Sequence, residues 1–246
     1  MLTSDARLRT PLDAIFFDCD GTLSTIEGID ELAATNGVGE AVKILTAEAM
    51  GQTGINPTLY QKRLALTKPT QQQMTWLGQQ YIKHLTPDVL PVIKIFQKLG
   101  KTIFIISAGL FPAIAILGKY LGIESSSIFA VNIQFDSNGR FLNYEEDSVL
   151  THNEGKQIIV REKLKQYPRL GYVGDGLNDC SVKDLVTRFV GYGGAYYREN
   201  IAAMCRYYIK ASTMAPILPL MLTADEVSKL NSDEKITFQK GLSGLV

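Results

Sequence analysis

Short apolar runs rich in β-branched and aromatic residues recur along this chain, and each is followed by turn chemistry. Ala14-Ile15-Phe16-Phe17 is the first, and Thr102 to Ile106, Ile128 to Ile133, Gly171 to Val173 and Phe189 to Gly191 follow. None alternates apolar with polar residues, so none offers a wet face, and the pattern predicts strands buried on both sides. Amphipathic stretches lie between them. Val92, Ile95, Phe96 and Leu99 share one helical face before Gly100, and Ile114, Leu117 and Leu121 share another that ends near Gly122. Strands alternating with helices in this way predict an α/β fold, a parallel sheet covered on both faces.

One segment interrupts the alternation. From Ser24 to about Thr86 the periodicity is helical throughout, with Val38, Val42, Leu45 and Ala49 on one face and Met74, Leu77, Tyr81 and Leu85 on another. It lies between the first strand and the next, as an insertion would. Residues 24–86 are therefore expected to form a helical cap over a core domain made of 1–23 and 87–246. A smaller feature spans Phe129 to Glu146, where Asp136-Ser137-Asn138-Gly139 separates two strand-like runs and predicts a β-hairpin.

Composition narrows the classes. With 246 residues, 46% of them apolar and 20% charged, the chain suits one large domain carrying an insert. Basic and acidic residues both number 25, so nothing points to nucleic acid or to a polybasic membrane surface. Cys19, Cys180 and Cys205 form no CxxC pair, so neither a disulfide framework nor a zinc site is expected. The apolar stretch Met214 to Leu222 is short and broken by Pro216 and Pro219, and a spanning helix needs about 20 apolar residues. Met1 to Pro11 lacks the apolar centre of a signal peptide, and a cytoplasmic location is expected.

Ligands of open α/β sheets bind beyond the carboxyl ends of the strands. Four polar groups fall there: Asp18-Cys19-Asp20-Gly21-Thr22 after the first strand, Ser107-Ala108-Gly109 after the second, Lys156 at the start of a helical stretch, and Gly174-Asp175-Gly176-Leu177-Asn178-Asp179 after a later strand. A calcium loop of the EF-hand type is excluded for the first group. Its sixth position, which must be Gly, is Leu23, and a strand precedes it.

These four elements, in this order, resemble the haloacid dehalogenase superfamily of phosphotransferases over most of the chain. The resemblance implies a Rossmann-like core and phosphomonoester hydrolysis. Asp18 would be the nucleophile that forms an aspartyl-phosphate. Asp20 would be the general acid and then the general base. Mg2+ would be held by Asp18, the Asp20 carbonyl, Asp175 and Asp179. Ser107, with the N–H groups of Ala108 and Gly109, would hold phosphate oxygens, and Lys156 would supply fixed positive charge. The chemistry requires such a set, because a phosphate dianion repels an anionic nucleophile unless cations and aligned donors neutralise it.

The helical segment resembles the phosphoserine phosphatase branch in Glu27, in Glu48-Ala49-Met50 and in Arg63. In that branch the Glu reads the substrate ammonium and the Arg its carboxylate, with Met50 as apolar cover and Asn178 positioning substrate or phosphate. An Arg fork matches a carboxylate on two hydrogen bonds. The segment lacks an aromatic residue near Ile55 and Asn56, and Ala108 stands where the family often has Gly. On Glu27, Met50 and Arg63, phosphoserine is the expected substrate. Phosphoethanolamine, phosphocholine or another small phosphomonoester is the nearer alternative, and a binding protein without catalysis the remote one. No nucleic-acid or membrane partner is expected, and a homodimer is left open.

Overall fold

The computed structural model describes residues 7–48 and 55–245. Its main sheet has six strands: β1 (Ala14–Phe17), β2 (Thr102–Leu110), β3 (Ile128–Val131), β6 (Leu170–Gly174), β7 (Arg188–Tyr192) and β8 (Tyr208–Ile209). Their spatial order is β3-β2-β1-β6-β7-β8, and every neighbouring pair is parallel. β4 (Ile133–Phe135) and β5 (Phe141–Tyr144) form a separate antiparallel pair. All four residues of β1 are fully buried, as befits a central strand covered on both faces. Phe16 stacks on Phe104 of β2 with ring centroids 4.7 Å apart, and Phe104 and Phe129 are edge-tilted partners beside it.

Among the described residues, four helices separate β1 from the rest of the core: α1 (Gly28–Thr35), α2 (Gly39–Glu48), α3 (Pro57–Thr67) and α4 (Gln71–Lys83). Among the described residues this block contains no named strand. Its helices begin where the side chains can satisfy free amides. Asn56 accepts from the Leu59 amide at 3.0 Å ahead of Pro57, and Thr70 and Gln73 form a capping box for α4. The two ends of the block are tied together. The Thr25 amide donates to the His84 carbonyl and the Thr86 amide to the Leu23 carbonyl, both at 2.9 Å. Met74, Leu77 and Tyr81 turn the buried face of α4 inward. Gly78 lets α4 approach α6 (Phe111–Tyr120), since a Cβ there would lie 2.7 Å from Ile116.

The remaining helices are α5 (Val89–Lys98), α7 (Gly155–Leu164), α8 (Leu177–Cys180), α9 (Glu199–Met204), α10 (Ile217–Met221), α11 (Ala224–Ser228) and α12 (Ser232–Ser243). α5 stops at Gly100, which takes the left-handed conformation at φ 78°. Near the amino end of β2, Lys101 is buried. Its ammonium donates to Glu226 of α11 and to the Leu12 carbonyl at 3.1 Å.

Two expectations change in detail. The run Ile128 to Ile133 is two strands, because the chain leaves the main sheet at Asn132 to enter the hairpin. β2 continues past Ile106 to Leu110, and its register with β3 breaks between those residues. Met214 to Leu222 is wholly buried and contains α10, so its apolar character serves the core. The hairpin turn is as expected: Asp136 accepts from the Asn138 and Arg140 amides, with Gly139 at φ 73°. Among the described residues no helix is long and apolar enough to cross a membrane.

Candidate active site

β1 lies between β2 and β6, so the loops after these three strands meet along one rim of the sheet. Asp18 follows β1 directly, and its amide still bonds the Val173 carbonyl of β6 at 2.9 Å. That bond extends the strand by one residue and fixes where the carboxylate emerges. Lys156, in the first turn of α7, is 2% exposed and reaches Asp18 Oδ1 and Asp179 Oδ1, each at 2.6 Å. Asp179 also accepts from the Tyr172 hydroxyl at 2.6 Å and the Gly176 amide at 2.9 Å.

Asp175 ends the β6 side of the rim. The Arg198 guanidinium pairs with its carboxylate and donates to its carbonyl at 3.0 Å. The same guanidinium lies 3.5 Å from Glu27 at the start of α1. Glu27 makes no side-chain cap bond to α1, so its carboxylate faces the site and not its own helix.

Asp18, Asp175 and Asp179 each offer an oxygen within 4.8 Å of the other two, and all three are buried. Burial pushes Asp18 well above the usual carboxylate range; Asp179 and Asp175 push the same way, and Lys156 opposes them. Asp175 is pushed up to about 6, again by burial first, with Arg198 opposing. Burial by itself would lower Lys156, but Asp179 and Asp18 more than offset it, and the ammonium stays charged. Such a cluster holds more negative charge than its neighbours cancel. Its donors are all carboxylate oxygens, which fits a hard divalent cation.

Asp20 points away from this cluster. Its Oδ1 accepts from the Gly28 amide at 2.6 Å and the Tyr81 hydroxyl at 2.8 Å, and its Oδ2 faces Ser107 Oγ at 3.2 Å. Burial raises its pKa, and those three bonds hold it back. Burial beside Asp20 pushes the Tyr81 phenol well up, so the phenol keeps its proton and donates. Ser107 Oγ in turn accepts from the Gly109 amide at 2.8 Å. The register break in β2 falls at this tripeptide and frees its backbone from the sheet.

One cavity is lined by Asp18, Asp20, Glu27, Gly28, Arg63, Ser107, Ala108, Gly109, Asn153, Asp175 and Asn178, so it collects residues from α1, α3 and every rim loop, while Lys156 itself backs Asp18. Arg63 is 6% exposed, makes no ion pair among the described residues, and its Nε has no hydrogen-bond partner. Burial lowers its pKa from the usual arginine value. Met50 lies outside the described residues.

The structure adds residues that sequence reasoning missed. Tyr60, one turn before Arg63, lines the cavity; its hydroxyl donates to the Ala108 carbonyl at 3.0 Å, and the Arg63 guanidinium sits 5.9 Å from its ring. It supplies the aromatic surface that Ile55 and Asn56 do not. Asn153 accepts from the Ile55 amide at 2.7 Å. Tyr81 reads in sequence only as one apolar step of a helical face. Arg198 follows the turn at Gly193 and Gly194, and a glycine pair after a strand of the sheet was the signal available for it.

A family model of haloacid dehalogenase-like hydrolases matches residues 12–182. The chain belongs to this family. Phosphoserine phosphatase of Bos taurus is 31% identical over 200 residues, covering 80% of this chain and 88% of its own. The chloroplastic phosphoserine phosphatase of Arabidopsis thaliana is 31% identical over 205 residues, covering 80% of this chain and 68% of its own. Among solved structures, a substrate-bound phosphoserine phosphatase complex superposes with a TM-score of 0.74 at 24% identity, over 87% of this chain and 100% of that one. A phosphoserine phosphohydrolase-like protein from Francisella tularensis gives 0.73 at 23% identity, over 81% and 96%. These structures share the fold.

Proposed function

We propose that this hydrolase converts L-phosphoserine and water to L-serine and phosphate, with Mg2+ as its cation. The observation that carries the substrate is Arg63. A guanidinium buried in the wall of the cavity that holds Asp18, with no ion-pair partner among the described residues, suits a carboxylate arriving with the substrate. The names of the curated relatives support the same reading. Phosphoethanolamine would leave Arg63 unpaired.

The ester phosphorus would lie between Asp18 and Asp20. An oxygen of Asp18 attacks it, the bond to the seryl oxygen breaks, and Asp20 gives that oxygen a proton. Asp20 then takes a proton from water, whose oxygen attacks phosphorus and restores the Asp18 carboxylate. Ser107 and the amides of Ala108 and Gly109 hold phosphoryl oxygens, and Lys156 orients Asp18 and favours its anion. Asp18, the Asp20 carbonyl, Asp175 and Asp179 would hold Mg2+, which supplies charge neutralisation at the phosphoryl oxygens. Glu27 would receive the ammonium, with Met50 as apolar cover and Asn178 beside the phosphate. Residues 24–86 act as a cap domain on a core of 1–23 and 87–246, closing to exclude water.

The test is phosphate release from phosphoserine, phosphothreonine, phosphoethanolamine and a sugar phosphate, with and without Mg2+. Preference for phosphoserine that requires Mg2+ is expected. Asp18→Asn should lower turnover by about 10⁴ or more. Near-native turnover by that variant, or a preference for phosphoethanolamine, defeats respectively the mechanism and the substrate.

A further inference from the structure

Asp20 is held by an unusual arrangement of donors. Both bonds to Oδ1 come from the helical block, one from the Gly28 amide at the start of α1 and one from the Tyr81 hydroxyl near the end of α4. Oδ2 receives nothing from the block. It accepts one bond, from Ser107 Oγ at 3.2 Å, which leaves it a free lone pair, and a Cβ on Gly109 would lie 3.0 Å from it, so it is turned toward the proposed phosphate loop. A carboxylate oxygen has two in-plane lone pairs. With both engaged by donors, Oδ1 has no place for a proton.

We infer that Tyr81 is a positioning residue for proton transfer: its phenol, with the Gly28 amide, occupies Oδ1 of Asp20 and thereby assigns the transferable proton to Oδ2. This rests on the reading of Asp20 as the acid. In the forward step the proton leaves Oδ2 for the departing ester oxygen, and Oδ1 keeps its two hydrogen bonds throughout. Without the phenol the carboxyl group is free to rotate, and the proton can sit on the oxygen turned away from the leaving group.

Gly28 supports the assignment independently. Its backbone is not among those in the left-handed region, so nothing in its conformation demands glycine. A Cβ there would lie 2.0 Å from the Tyr81 hydroxyl oxygen. The absent side chain is the space the phenol occupies.

The experiment compares wild type, Tyr81→Phe, Gly28→Ala and Asp20→Asn on the best ester of the panel and on acetyl phosphate. Acetate leaves without a proton, so acetyl phosphate bypasses the acid. The quantity read is kcat/KM, which ends at cleavage of the phosphorus–oxygen bond. Tyr81→Phe and Gly28→Ala should each lower it about 10- to 100-fold for the ester, a part of the 10²–10⁴ typical of a positioned acid. Acetyl phosphate should change by less than about threefold, because the phenol acts only through the acid. On the ester alone, the loss should sit in kcat, with KM within about twofold. Equal losses on both substrates, no loss on the ester, or a rise in KM with kcat unchanged overturns the inference. If Asp20→Asn itself shows no preference between the two substrates, the assignment of Asp20 fails instead; if it does and the other two variants do not, only the role of Tyr81 fails.

Discussion

Replacing Arg63 by Met separates binding from folding in one substitution. Met fills much of the same space and removes the charge. In the substrate complex, the paired guanidinium and carboxylate are a charge-assisted interaction of about 1.5–3 kcal/mol. Its loss should lower kcat/KM for phosphoserine about 10- to 150-fold. Phosphoethanolamine, which has no carboxylate, should change by no more than about threefold, within the scatter of a lost neutral contact. The ligand-free protein should respond in the opposite sense. The buried, unpartnered Nε costs about 1–3 kcal/mol, and the stacking on Tyr60 at 5.9 Å returns about 0.5–1 of it. The variant should therefore gain roughly 1 kcal/mol, or about 2–4 °C in Tm for a chain of this size. The assays are steady-state phosphate release on both substrates and a thermal melt without ligand. Equal losses on the two substrates, together with a lower Tm, would show that Arg63 is structural and refute the reasoning.

Two further outcomes follow from buried charge. Asp18 and Asp175 have folded pKa values above their unfolded ones, Asp175 at about 6, so between about pH 4 and 6 the folded chain binds more protons than the unfolded. Stability in chelator should fall as pH rises through that window, and added Mg2+ should flatten the decline by taking the place of the protons. Thermal melts from about pH 4 to 6 check this, and a Tm that climbs with pH across that window in chelator contradicts it. Lys101→Met leaves Glu226 as an uncompensated buried charge and should cost about 3–5 kcal/mol in urea unfolding. Adding Glu226→Leu should restore most of that, with kcat unchanged in both variants because Lys101 lies at the opposite end of β2 from Ser107; a single variant as stable as wild type contradicts the pairing.

Much of the fold was written in local pattern. β1 was legible to the residue because a wholly buried central strand must be apolar at every position. β8 was not, because it is two residues long and borrows its stability from β7. The break inside β2 could not be read either, since Ser107-Ala108-Gly109 has little extended propensity of its own and pairs with neither neighbouring strand. In the site, Asp18, Lys156 and Asp179 could be expected together because they stand at strand and helix ends in the order of the resemblance, and the structure brings their side chains into contact. Tyr60, Tyr81 and Arg198 escaped for the converse reason. An aromatic ring on a helix face looks like packing until its hydroxyl is seen to end on Ala108 or Asp20, and Arg198 reaches Asp175 only through the fold.

The helical block enters the chain at a single crossover, yet it is fastened to four separate parts of the rim. Tyr60 ends on Ala108, Tyr81 on Asp20, Ile55 on Asn153 near Lys156, and Glu27 on the arginine that holds Asp175. An insertion attached at one place can drift in sequence, but one attached at four is bound to the history of its host. Transplanting a homologous block without matching hydroxyls onto this sheet would leave the Ala108 carbonyl and the Asp20 carboxylate without the donors that Tyr60 and Tyr81 supply. The two halves of the molecule therefore form a single heritable unit, and recombination between relatives is expected to preserve function only when its crossover points keep those four pairs together.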